Sequence, residues 1–149
     1  MAYKFRFHAL LKYRQYLLTQ AQTELAAALK HYQALHTLIE KTTADKEQAV
    51  ISLEAKRQAG VKASEYQLFQ DYFLAMEQQL LQLNRELEEL AKGVADAKEL
   101  LRQRERELKM LEVTDDKDHA AYRREQAKRE QAGLDERSGV SEFKKRSPL

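Results

Sequence analysis

The sequence predicts an all-α fold: two long helices forming an antiparallel coiled-coil hairpin, with the second helix overhanging at the open end. Three observations carry this. Charged residues make up 34% of the 149-residue chain, against only 4 Gly and 1 Pro, too few turn residues to separate many elements. Ala, Glu, Gln, Lys, Leu and Arg dominate, which is the mixture of long helices and coiled coils. Large apolar residues also recur at alternating steps of four and three along two stretches, the spacing of a coiled-coil seam.

The first helix is expected over about 4–58. Its seam reads Phe7, Leu11, Arg14, Leu18, Ala21, Leu25, Ala28, Tyr32, Leu35, Ile39, Thr42, Lys46, Ala49, Leu53. A turn follows over about 59–64, where Gly60 is a helix stop and Ser64 with Gln67 reads as an N-cap and capping box. The second helix is expected over about 65–135, with a seam from Phe69 through Leu83, Val94 and Leu101 to Leu111, broken only by Arg104. Residues 1–137 thus form the hairpin. Gly133 and Gly139 should fray its end, leaving 138–149 as a flexible tail.

Folding the chain about Val61 sets Ala49 opposite Phe73, Thr42 opposite Leu80, Leu25 opposite Ala97 and Ala21 opposite Leu101. Small residues repeatedly meet large ones, which keeps the layers even in volume. The breaks pair too: Arg14 faces Leu108 and Arg104 faces Leu18, so each stem can lie on a leucine while its head reaches water. Phe7 falls level with Asp115, where the first helix runs out. Asp115 to Arg137 therefore projects with nothing from its own chain to cover it, and its surface is left for another molecule.

Chemistry is sparse. Four isolated glycines cannot build a phosphate loop, and no Ser/His/Asp constellation exists. His31 and His36 lie five apart, so a helix points them away from each other. "TDDKDH" (Thr114 to His119) lacks the glycine and distal Glu of a calcium loop and reads as the place where the seam ends. A thin coiled coil offers no pocket to tune a carboxylate. No enzyme activity, cofactor, metal or small-molecule substrate is expected. "YRREQAKRE" follows the heptads instead of preceding them and is interrupted by Glu125 and Glu130, so it reads as a solvated face and not as a nucleic-acid arm. The charged N-terminus does not suit a signal peptide, and no apolar stretch approaches membrane-spanning length. With no Cys, a reducing cytoplasm is the expected setting.

Off-seam apolar residues cluster in two places. Phe5, Leu10, Tyr13, Tyr16 and Leu17 lie near the open end; Leu68, Tyr72, Leu74 and Leu81 lie near the turn. Such patches mark partner sites or self-association into a larger bundle. Either way the reading is an interaction protein.

Two stretches carry a resemblance. "FRFHALLKYRQYLLTQAQTELAAAL" (Phe5 to Leu29) resembles the opening of the flagellar export protein FliJ family. "KMLEVTDDKDHAAYRREQAKREQAGLDE" (Lys109 to Glu136) is similar to that family's C-terminal signature. The resemblance implies a cytoplasmic component of the flagellar type III export apparatus, peripherally associated with the inner membrane. It further implies a stalk-like hairpin that docks in the hexameric export ATPase, promotes its activity, and contacts the cytoplasmic domain of the membrane export gate. Escort of export chaperones is also implied. Arg123, Arg124, Lys128, Arg129, Glu130, Gln131 and Asp135 match the signature and become candidates for the ATPase end; Tyr72 and Met76 are the nearest matches for the gate end, toward the turn. Gly133 departs from the pattern by placing a helix-weakening residue inside it. The alternative reading is a generic helical-hairpin chaperone or scaffold of a secretion system, which would bind clients along its apolar flank.

Overall fold

The computed structural model describes residues 2–146, and side chains as far as 139. Two helices account for almost all of it: α1, His8–Ala59, and α2, Ala63–Arg146. They form an all-α hairpin with no strand among the described residues. The chain divides into two compact units. A turn unit spans Thr19–Gln103, and a terminal unit combines Met1–Leu18 with Arg104–Leu149.

In the turn unit every expected seam position is buried or half-buried, with Ala21, Thr42, Leu53, Leu83 and Val94 the most enclosed. No large side chain is fully enclosed among the described residues, because two helices alone cannot surround a layer. Stability is therefore spread over many half-buried layers, each contributing on the order of 1 kcal/mol. Lys46, the one charged seam residue here, resolves its position by pairing with Glu77 of α2 at 3.3 Å.

Gly60 ends α1. Its φ of +97° is the left-handed conformation that L side chains resist, and its N–H donates to the Arg57 carbonyl at 3.3 Å. The expected cap of α2 is corrected. The helix starts one residue before Ser64, and the Lys62 carbonyl accepts from the N–H groups of both Glu65 and Tyr66 at 3.1 Å. Gln67 turns forward to Asp71 at 3.0 Å, so no capping box forms. A backbone carbonyl is already placed to close the first turn, which leaves the serine no part in it.

In the terminal unit four expectations are corrected. α1 begins at His8, not near residue 4. Residues 2–7 form a non-helical lead, closed by the His8 N–H on the Phe5 carbonyl at 3.2 Å. Helical spacing no longer governs this lead, and so Phe5, not Phe7, is the buried aromatic (9% against 38% exposed).

The arginines of the seam do not reach for water. Arg14 Nη1 donates to the backbone carbonyl of Glu107 at 2.8 Å, and Arg104 Nη1 pairs with the Glu107 carboxylate at 3.1 Å. One glutamate thus receives both charges through different atoms, and at 28% and 30% side-chain exposure the Arg104 pair is better shielded than an ordinary surface pair.

Regular structure also continues past residue 135. α2 runs through Gly133 and Gly139 to Arg146. An isolated glycine costs about 1 kcal/mol against alanine, which an already nucleated helix can absorb because propagation needs no new nucleus. The last part of the expected tail, residues 147–149, lies outside the described residues.

Candidate partner-binding surfaces

The open end is tied by polar contacts, not by the apolar seam alone. The Tyr3 hydroxyl donates to Asp115 Oδ1 at 2.6 Å and approaches its carbonyl at 3.2 Å. Arg6 Nε pairs with Asp118 at 3.0 Å. The Tyr3 ring meets His119 edge-on at 4.6 Å and lies 5.5 Å from the Tyr122 ring. "TDDKDH" is therefore the clasp that holds the N-terminal lead, and not the bare end of the seam. Loss of hydration, then the bond to Asp115 and the nearby carboxylates, push the Tyr3 phenol up to about 12. The lead covers α2 as far as Tyr122, so the overhang expected from Asp115 is shorter than the sequence suggests.

Beyond Tyr122 the seam line of α2 turns charged, passing through Glu125 and Arg129, which pair with each other at 3.6 Å. All seven candidates for the ATPase end are exposed. Helical spacing sorts them onto separate faces. Arg124, Lys128, Gln131 and Asp135 follow i, i+4, i+7, i+11 along one flank of the seam line. Arg123 and Glu130 lie with Leu134 on the face away from the seam, while Arg129 sits on the seam line. Gln131 donates to Asp135 at 3.1 Å. The helix therefore presents charge in every direction, as a segment surrounded by a partner would need to.

Near the turn, an open groove of about 630 Å³ runs between the helices. Ala49, Leu68, Phe69 and Tyr72 supply its apolar lining; Asp45, Gln48, Ser52 and Lys56 supply polar groups. Lys56 Nζ stands 5.3 Å from the Phe69 ring centroid, a cation–π contact. Of the two candidates for the gate end, Tyr72 is exposed and lines this groove, whereas Met76 is half-buried in the seam. The structure thus separates the pair. Leu68 and Phe69, absent from the candidate set, join Tyr72 instead. Leu68 was legible as off-seam and apolar, but the groove depends on Ala49 being small on the facing helix.

No group of three or more His, Cys, Asp or Glu side chains suited to a metal occurs among the described residues. His36 pairs with Glu40 at 3.3 Å and stacks against Tyr32. No described helix is long and apolar enough to cross a membrane.

No curated protein and no solved structure matches the chain. The family described as flagellar FliJ protein matches residues 3–147. With nearly the whole hairpin inside that match, the chain belongs to the FliJ family and is a component of the flagellar export apparatus.

Proposed function

We propose that this protein is a non-catalytic shaft of the export apparatus, whose far α2 segment docks in the hexameric export ATPase and whose turn-end groove meets the cytoplasmic domain of the export gate. One observation carries the reading: after Tyr122, α2 continues as a helix whose described side chains are charged on all sides. A single helix is narrow enough to enter a ring, and its mixed charges can pair with loops that line a pore. Coupling follows if subunits in different nucleotide states grip it differently, since a shaft bound equally by every state shifts nothing. The protein would work in the cytoplasm, beside the membrane it does not span. Chaperone escort would use the exposed Leu74 and Leu81 on α2.

The test is ATP hydrolysis by the purified export ATPase, with full-length protein or with a chain ended after Tyr122. The shortened chain should keep its helical signal and melting temperature and lose stimulation. Stimulation undiminished by the truncation rules out docking through this segment.

A further inference from the structure

Two charge stripes remain that the seam does not explain and that the proposed docking ends explain only in part. On the terminal unit, the face of α2 opposite the seam carries Arg106, Met110, Val113, Lys117, Arg124 and Lys128 at helical spacing, with Lys109 at its edge. Two carboxylates border this face between Arg106 and Lys128: Asp116 on the edge of Lys109, and Glu107, already held by Arg104, on the edge of Lys128. Met110, at 69% exposed, lines with Val113 a shallow hollow of about 520 Å³ that is rimmed by Arg106, Lys109 and Lys117.

On the turn unit, the face of α1 opposite the seam is its complement. Glu40, Glu47 and Glu54 lie along it with Ile51, which is 62% exposed, and Lys41 is the one cation on this face between Gln33 and Gln58. Glu47, Lys109 and Lys117 take part in no ion pair among the described residues. Glu40 and Glu54 have only exposed partners within their own helix, at 3.3 and 3.8 Å, and such pairs hold their groups by only about 0.3–0.5 kcal/mol.

We propose that these stripes bind each other between two copies of the chain, the acidic face of α1 in one copy lying antiparallel on the basic face of α2 in the next. One register pairs the two stripes, with Lys41 against Arg123 as its like-charge contact. Ile51 meets Val113, Glu47 meets Lys117, Ala44 meets Ala120 and Glu40 meets Arg124. In the same register Glu54 lies over Met110 and beside Lys109. The Ala44–Ala120 layer lets the helix axes approach, and Ile51 supplies the knob that enters the Met110–Val113 hollow. The antiparallel direction is selected by the apolar contacts: a parallel alignment keeps Glu47 on Lys117 and Glu54 on Arg124, but moves Ile51 from Val113 to Ala121 and Ala44 from Ala120 to Thr114.

The contact uses different surfaces on the two copies, so it closes into a pair or extends according to the rotation it imposes. Few apolar groups are buried, so association should be weak and strongly dependent on salt. Arg124 and Lys128 also belong to the proposed ATPase end. Self-association would therefore withhold them from the ring, leaving the free chain as the form that docks.

The test is sedimentation of the full chain over a range of concentrations, at about 50 mM and about 500 mM salt. Wild type should gain mass with concentration at low salt and lose that gain at high salt. Glu47→Lys with Glu54→Lys, and separately Lys109→Glu with Lys117→Glu, should each weaken association about tenfold or more. Neither pair touches the seam, so circular dichroism should report both as folded. Mixing the two variants places each altered stripe opposite one of opposite sign and should restore association. A wild type that stays monomeric at low salt, variants that associate as well as wild type, or a mixture that does not recover would each overturn the proposal. Because none of the four residues is assigned to ring docking, this outcome is independent of the ATPase experiment.

Discussion

The phenol of Tyr3 and the carboxylate of Asp115 meet at 2.6 Å although 112 positions separate them in sequence. This bond fixes the N-terminal lead to α2 and favours the protonated phenol. Tyr3 titrates near 12 in the fold against an ordinary value of 10.0. A raised folded pKa means that the contribution is fully present below about pH 10 and is lost as pH rises through 12. Absorbance titration should show one tyrosine ionising near pH 12, and Tyr3→Phe should abolish that step. The same variant should expose residues 2–7 to protease while leaving the main melting transition almost unmoved, because the turn unit does not depend on the bond. An unchanged titration would place Tyr3 in water.

Ala21 is 2% exposed, the most enclosed residue among those described, and its layer is expected to be shared with Leu101. The chain has no cysteine, so Cys at both positions should oxidise to a single intrachain disulfide, seen as a mobility shift under non-reducing conditions. Crosslinking between chains alone would indicate a different pairing. Ala21→Phe should destabilise by about 1–3 kcal/mol through overpacking, read as a lower denaturation midpoint.

These layers were legible because their cause is periodic. Burial, volume and the four-three step repeat together, so Thr42, Lys46 and Ala49 can be placed in the seam without being typical seam residues. The contacts of the open end have no period. Tyr3, Arg6, Asp115 and Asp118 are polar or amphipathic, and nothing in their spacing announces a clasp. Phe5 was placed outside the seam because helical spacing was extended into a lead that is not helical. Glu107 could not be foreseen as a shared acceptor, since Arg14 uses its backbone carbonyl, a group every residue has. At the candidate sites, the charged segment after Tyr122 was legible from composition, and its division into faces follows from helical geometry. The turn-end groove was not, because it depends on what Ala49 leaves unfilled on the opposite helix.

Gly133 lies within α2, and a Cβ added there meets nothing within 4 Å. Gly133→Ala should therefore stabilise the local helix by about 0.5–1 kcal/mol. Slower amide exchange around residues 128–138 is the measurement, since the global transition is set elsewhere. If exchange there is equally fast in both proteins, the segment is not helical in the free chain and orders only on a partner.

The two proposed docking ends should be separable by mutation. Tyr72→Ala removes an exposed ring from the groove while leaving the Phe69 and Phe73 seam positions in place. It should keep the helical signal and ATPase stimulation, and weaken binding to the isolated cytoplasmic domain of the export gate by about tenfold, a typical loss for an aromatic anchor. Met76→Ala should instead lower stability, because its side chain is half-buried in the seam. Arg124→Glu with Lys128→Glu should have the opposite selectivity: gate binding intact, ATPase stimulation reduced, and the reduction smaller at high salt where the lost attraction is already screened. The seam is untouched by this pair, so unfolding cannot account for the loss. Both partners losing affinity together in either variant would mean that one surface serves both, and the assignment of separate ends would fail. Loss of gate binding in the charge-reversed variant alone, with stimulation intact, would mean that the ends are assigned the wrong way round.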